Sequence, residues 1–470
     1  FYIESKQKEF VVNLGTKIQA HDRISTIIKY HDSFFVGLMI DGVLILEKPK
    51  GSNEYQIQPL PINSGVFSLV KDRFQDLIWI ATDGQGVYLY SNPLYSIKSV
   101  VLSNYTEKIE RPVRALLLDK ERTFWIGTKG NGILKIYDYE VDKDISDCRS
   151  EVLTISNSGL GSNAVYCIKG SNRNLLWIGD EEGLNFYSYR ERRIKKIPLW
   201  IDNEEIKYIH DIYETEDSEL WLASVGMGIV RARIGGTPDH PVLENMQRYV
   251  ANAGEFGSNC FFTICKGDSL GLLFGNMGSG VFRFNEISNG LEPLTTHKYE
   301  NMNLNKVVPI VKDDANNYLI GTTYGVIKYT SENSYKLFNA KDGFLNSTIH
   351  AILRHSPDNF WLSTNQGLIN FDTKRDVFRS YGFGDGLKVV EFSDGASYRD
   401  PQTGTLFFGG INGFVAIQAD GRPEQLYMPP IYFDKLSIFG EQYNLGEFIT
   451  REKENEVLNL KYDQNFFAVS

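Results

Sequence analysis

The chain has 470 residues, 42% of them hydrophobic and 23% charged, and a formal charge of −10. That length exceeds one ordinary core, so several domains or a repeat array is expected. The acidic balance argues against a general nucleic-acid binder, which needs a basic stripe to neutralise phosphates, but leaves room for a local cationic pocket.

A 13% aromatic share and 42 glycines lean toward β-structure with many tight turns. No apolar run approaches bilayer length, and the opening Phe1-Tyr2-Ile3-Glu4 carries neither an initiator Met nor a signal-peptide pattern, as expected of an interior cut. The four cysteines form no CxxC pair and the seven histidines no HxH or HExxH, so metal-ligand spacing is absent. Cys167 and Cys265 fall in apolar strand runs and read as small buried hydrophobes.

In chain order, Phe1 to Phe10 reads as the outer strand of a preceding repeat, and one segment then recurs nine times. It begins weakly at Phe35-Val36-Gly37. Its clearest copies are Leu77-Ile78-Trp79-Ile80-Ala81-Thr82, Phe124-Trp125-Ile126-Gly127-Thr128 and Leu176-Trp177-Ile178-Gly179-Asp180. Aligned copies follow at Trp221-Leu222-Ala223, Leu273-Phe274-Gly275, Leu319-Ile320-Gly321, Trp361-Leu362-Ser363 and Phe407-Phe408-Gly409, with a mean spacing of roughly 46 residues. A second glycine follows each small residue by four or five positions, from Gly42 and Gly86 through Gly132 to Gly413.

Upstream of each copy lies an alternating apolar stretch that ends in a polar turn, such as Val113 to Leu118 before Asp119-Lys120-Glu121-Arg122. The unit reads strand, polar turn, strand, glycine turn, strand, and a variable stretch with a fourth strand. Four short strands per period of this length predict an all-β chain of β-propeller blades, because a twisted sheet with two apolar faces is covered only by a neighbour on each side.

Five of the six tryptophans share one repeat position, where a bulky residue serves packing between blades better than a sugar-stacking ladder would. Glycine pairs such as Gly130/Gly132 lie in strand-to-strand turns with no following helix, so a phosphate cradle is rejected in favour of positive-φ turn chemistry.

The Leu-Trp-Ile-Gly-Thr-x-x-Gly core, best kept from Trp125 to Ile133, resembles the regulator-propeller repeat in the periplasmic sensor region of Bacteroidetes-type hybrid two-component systems. Met428-Pro429-Pro430-Ile431-Tyr432-Phe433 and Leu458 to Phe466 resemble the opening strands of the β-sandwich that follows such propellers. Counting seven blades back from that sandwich assigns residues 1–95 to the last blades of an upstream propeller, 96–425 to a seven-bladed ring, and 426–470 to the start of a truncated sandwich.

The resemblance implies a periplasmic region of an inner-membrane protein that binds a glycan-derived oligosaccharide. It also implies dimerisation through the sandwich region and signalling to a cytoplasmic histidine kinase that controls polysaccharide-utilisation genes. No cofactor and no nucleic acid is implied for this region. Two other classes stay open: a propeller glycosidase or lyase, and a protein-interaction scaffold. Hydrolysis needs paired carboxylates at a set separation, and the acidic residues here fall mainly in turns where a solvated face explains them.

The binding surface follows from strand geometry. In an up-and-down blade, the turn between the second and third strands shares a face with the connection to the next inner strand. The alignment puts Arg111, Arg114, Tyr166, Tyr208, His210 and His350 near inner-strand starts on that face, with Asn276, Tyr324, Asn365 and Asn412 in the glycine turns. These types stack on sugar rings and hydrogen-bond hydroxyls or carboxylates; Arg111 or Arg114 would pair an acidic sugar.

Overall fold

A computed structural model describes residues 2–5, 8–11, 22–48, 55–60, 62–72, 77–91, 95–105, 109–250, 258–267, 270–294, 306–314, 316–331, 334–385, 387–419, 435–444, 447–452, 455–458 and 459–469. The chain forms two compact units, Tyr95–Gly421 and a second made of Phe1–Leu94 with Arg422–Ser470.

The first unit is a ring of seven four-stranded antiparallel sheets. Their inner strands are Val113–Leu118, Val165–Gly170, Ile209–Glu214, Phe261–Gly267, Val307–Lys312, Ile349–Ser356 and Phe392–Arg399. Each inner strand lies beside the next, and the seventh lies beside the first. Six blades use four consecutive strands. The seventh takes three from the end of the unit and its outermost from the beginning, where Tyr95–Val101 pairs along Gly413–Ala419.

The repeat residues now have physical roles. A β-carbon on Gly127 would stand 2.8 Å from the Val165 side chain, and one on Gly409 would stand 2.6 Å from that of Val113. The small residue thus lets each second strand approach the first residue of the next inner strand, and the junction of blades seven and one repeats that contact. The indole rings of Trp125, Trp177, Trp221 and Trp361 are buried. Trp125 meets Tyr187 of the second blade at 4.7 Å, and Trp221 meets Phe284 of the fourth at 4.8 Å. All nine second glycines have positive φ. At Gly132 (φ 76°) a β-carbon would also lie 2.0 Å from the Leu153 carbonyl of the outer strand, so glycine is needed there for both conformation and space.

In the second unit, Ile24–Tyr30, Ser33–Leu38, Val43–Glu47 and Gln56–Pro59 form a four-stranded sheet of the same pattern. Val66–Lys71, Leu77–Thr82 and Val87–Ser91 form a three-stranded one. The first ten residues are not one outer strand: Tyr2–Ser5 pairs with Lys8–Val11 as a hairpin. Near the C-terminus Leu436–Ile438 pairs with Glu441–Tyr443 and Phe467–Val469, and Ile449–Glu452 with Asn455–Leu458. The Met428 to Phe433 motif lies outside the described residues. Among the described residues no helix is long and apolar enough to cross a membrane.

Candidate ligand-binding site

One backbone irregularity recurs in every inner strand of the ring. The pairing register skips the second residue in five of them, Arg114, Tyr166, His210, Phe262 and His350. It skips two residues between Val307 and Ile310 and four between Phe392 and Ser397. A bulge frees a residue from the ladder and re-aims its side chain. Here the re-aimed side chains meet.

Tyr166 and His210 stack at 4.2 Å, and the Phe262 ring meets His210 edge-on at 5.3 Å. Lys306, just before the fifth inner strand, places its ammonium 4.6 Å from the Phe262 ring centre and pairs with Asp394 of the seventh blade. Asp394 also accepts from His350 Nδ1 at 2.7 Å and lies 3.5 Å from Arg114 Nη1. Arg114 completes the circuit over Tyr166 at 5.9 Å. Each of the seven blades contributes one side chain. Blades two to four form an aromatic arc, and the other four form an ionic one.

The electrostatics follow from this packing. Burial and then the neighbouring Arg114 push His210 down to about 3, so its imidazole is neutral. Burial opposes ionisation of Asp394, but the His350 hydrogen bond, Lys306 and Arg114 outweigh it and hold its carboxyl well below the usual range.

The glycine turns share this face. Backbone amides of Lys129, Glu181, Val225 and Met277 donate to the carbonyls of Pro112, Ala164, Tyr208 and Cys260, which precede the inner strands. Tyr208 is 40% exposed and, at φ 55°, sits in a conformation unusual for a bulky side chain, as residues at ligand clamps often do. Tyr324 is 45% exposed in its turn. Asn365 Oδ1, an acceptor, lies 2.6 Å from His350 Nε2 and is so tied to the circuit. Arg111 and Asn412 are exposed on the same face, outside the circuit.

Two expectations need correction. Asn276 does not offer its amide to a ligand: it is buried, and its Nδ2 donates to the Ser258 and Cys260 carbonyls. Tyr166 is engaged within the ring, with His210 stacked on one face at 4.2 Å and the Arg114 guanidinium 5.9 Å from the ring centre. Tyr208 and Tyr324 are the tyrosines of this set whose rings are exposed. The sequence reading missed Phe262, Lys306 and Asp394; for Phe262 the alignment alone held the signal, since Phe261-Phe262 stands where Val165-Tyr166 and Ile209-His210 stand.

Two clefts flank the ring's faces. One of about 420 Å³, lined by Glu110, Gly130, Asn131, Thr154 and Asn163, lies beside the first glycine turn. The other, of about 430 Å³, lies at the opposite ends of the inner strands among Lys120, Arg122, Asn172, Tyr189, Tyr398 and Gln402. Several acidic residues read from sequence as solvated instead serve structure. Asp180 is fully buried and accepts from Ser162 N, Glu182 N and Asn185 Nδ2. Asp211 joins three blades through Lys169 and Ile264 N. Among the described residues no cluster of His, Cys, Asp or Glu is arranged to hold a metal.

No known family profile matches the chain. Histidine kinase P4 of Formosa agariphila is 22% identical over 371 residues, 76% of this chain and 26% of that protein. Among solved structures, the extracellular domain of BT3049 from B. thetaiotaomicron, described as a hybrid two-component system, aligns with a TM-score of 0.61 at 22% identity over 94% of this chain and 58% of that one. The chain shares that fold. A virginiamycin B lyase from Staphylococcus aureus aligns with a TM-score of 0.51 at 15% identity, covering 69% of this chain and 99% of the lyase. This chain thus spans about a quarter of the kinase and under three fifths of the extracellular domain.

Proposed function

We propose that this chain is the periplasmic ligand-sensing region of a hybrid two-component system and that it binds a glycan-derived oligosaccharide across the axial mouth of the ring. The observation that carries the reading is the convergence of one side chain from every blade into a single circuit, three in an aromatic arc and four in an ionic one, beside the exposed rings of Tyr208 and Tyr324. A ligand touching several blades at once would register their relative positions, which suits a sensor better than a passive scaffold. Similarity to a histidine kinase and to extracellular domains of such systems supports the reading. In it, the strands after residue 435 begin the β-sandwich, through which the protein dimerises and couples to the membrane, and the output controls polysaccharide-utilisation genes.

The role is binding without turnover. Calorimetry against a panel of glycan-derived oligosaccharides tests it, followed by chromatography of the ligand, which is expected to emerge intact. Replacing Arg114, Tyr208 and Tyr324 together by Ala is expected to abolish binding while the ring still melts cooperatively. Retained affinity in a folded triple variant would move the site to the opposite cleft at Lys120, Asn172 and Gln402.

A further inference from the structure

The ionic arc is short of negative charge. Arg114 and Lys306 share the single carboxylate of Asp394, which His350 also engages. Their shares are unequal: the Arg114 contact is long at 3.5 Å, and the buried Nε of Arg114 has no hydrogen-bond partner among the described residues. A guanidinium that is only 13% exposed and has an idle N–H is costly unless something completes it, because a buried donor without a partner forfeits its hydration. Its planar fork fits a carboxylate best.

Asp394 itself sits on the least regular part of the ring. Four residues separate Phe392 from Ser397 without ladder pairing, and Gly395 within them has φ 68° with open space around the position of a β-carbon. No ladder pairing therefore ties Asp394 itself to the neighbouring strand.

We propose that Asp394 is an internal stand-in for a ligand carboxylate, and that a uronic acid unit of the bound glycan takes its place on Arg114 and Lys306. The inference rests on the sensing role proposed above and names its ligand class. The competitor is a carboxylate already held in the site, so the site is shaped for a carboxylate in preference to a sulfate. The incoming group pairs with the Arg114 fork and the Lys306 ammonium, and Asp394 swings out toward solvent at the mouth. Displacement then releases the bulged segment of the seventh blade, the blade closed by the strand Tyr95–Val101. The wild-type affinity is reduced by the fraction of molecules in which Asp394 fills the site, a self-inhibition that removal of the carboxylate relieves.

The test is titration calorimetry of the whole chain with D-glucuronate, methyl glucoside and inorganic sulfate, with near-ultraviolet circular dichroism to verify folding. Asp394→Asn is expected to bind glucuronate about tenfold more tightly than wild type. Arg114→Gln and Lys306→Met are expected to lose glucuronate binding, and Asp394→Asn is expected to give no comparable gain for methyl glucoside. Unchanged glucuronate affinity in folded Asp394→Asn overturns the proposal, and so does tighter binding of sulfate than of glucuronate. If Asp394→Asn does not fold, the other two variants decide, since unchanged glucuronate affinity in either is equally contrary. A neutral oligosaccharide that binds regardless of Arg114 and Asp394, with no response to glucuronate, sinks this inference and leaves the sensing role standing. Glucuronate binding that obeys the variants, with no oligosaccharide of any glycan bound, does the reverse.

Discussion

The same repeat appears in two settings, and its tryptophan behaves differently in each. Trp125 in the ring and Trp79 in the three-stranded sheet both donate from the indole to an aspartate at the end of their inner strand, Asp119 at 2.8 Å and Asp72 at 2.9 Å. The local unit is therefore the same. Yet Trp125 is 1% exposed and Trp79 is 44% exposed. The turn glycines differ likewise: a β-carbon on Gly132 would strike the Leu153 carbonyl, whereas one on Gly86 meets nothing within 4 Å among the described residues. A blade makes its own strands and turns, but its burial comes from the neighbouring blade and its tightness from the fourth strand.

The largest test of that contrast removes a strand from the ring. Deleting Tyr95–Val101 leaves the seventh blade three-stranded, and the cooperative melting transition of the ring is expected to vanish, because total stabilities of about 5–15 kcal/mol do not survive loss of such a strand. A cooperative transition within a few degrees of wild type would refute the closing role. Next, Trp177→Ala is expected to cost about 3–5 kcal/mol in denaturant unfolding, against under about 2 kcal/mol for Trp79→Ala. Equal costs would mean that burial by the neighbour adds nothing.

A smaller effect separates the glycines. Gly132→Val should destabilise by more than about 1 kcal/mol and Gly86→Val by less than that variant, since both strain φ but only the first clashes. Binding preference is expected to be unchanged.

The remaining effect is a pH slope. The unfolded chain protonates His210 near its ordinary value of about 6.5, whereas the folded chain resists down to about 3. Between these values the unfolded state holds more protons, so stability is full above the upper value and falls as pH drops, by up to about 1.4 kcal/mol per unit. Below about pH 4, protonation of Asp394, whose folded value is depressed, removes further stability in the same direction. His210→Phe should flatten the slope above pH 4, and an unchanged slope would show that the ring of His210 is not what titrates. In the three-stranded sheet the residue at the same bulge is Phe67, which has no proton to exchange.

The periodic part of this fold was legible because each element leaves a local mark. Gly127 and Gly132 register a close approach and a positive φ, and Val113 to Leu118 registers a two-faced buried strand. The circuit at the candidate site was legible only where it kept the period. Arg114, Tyr166, His210 and His350 occupy the second place of their inner strands, so counting found them. Asp394 escaped because four unpaired residues shift it out of register, and Lys306 because it precedes its strand. Asn276 misled because a turn amide can face either the ligand side or its own blade, and only the Ser258 and Cys260 carbonyls decide.

The central claim is that the ring reads its ligand at the mouth where the bulged residues converge. Hydrogen exchange with and without a saturating oligosaccharide tests it most directly, because slowed exchange marks where backbone is held. New protection is expected around residues 111–114, 208–211 and 322–325 and across the bulge between Phe392 and Ser397. Protection confined to the opposite turns, at residues 120–122, 171–174 and 401–404, would contradict it.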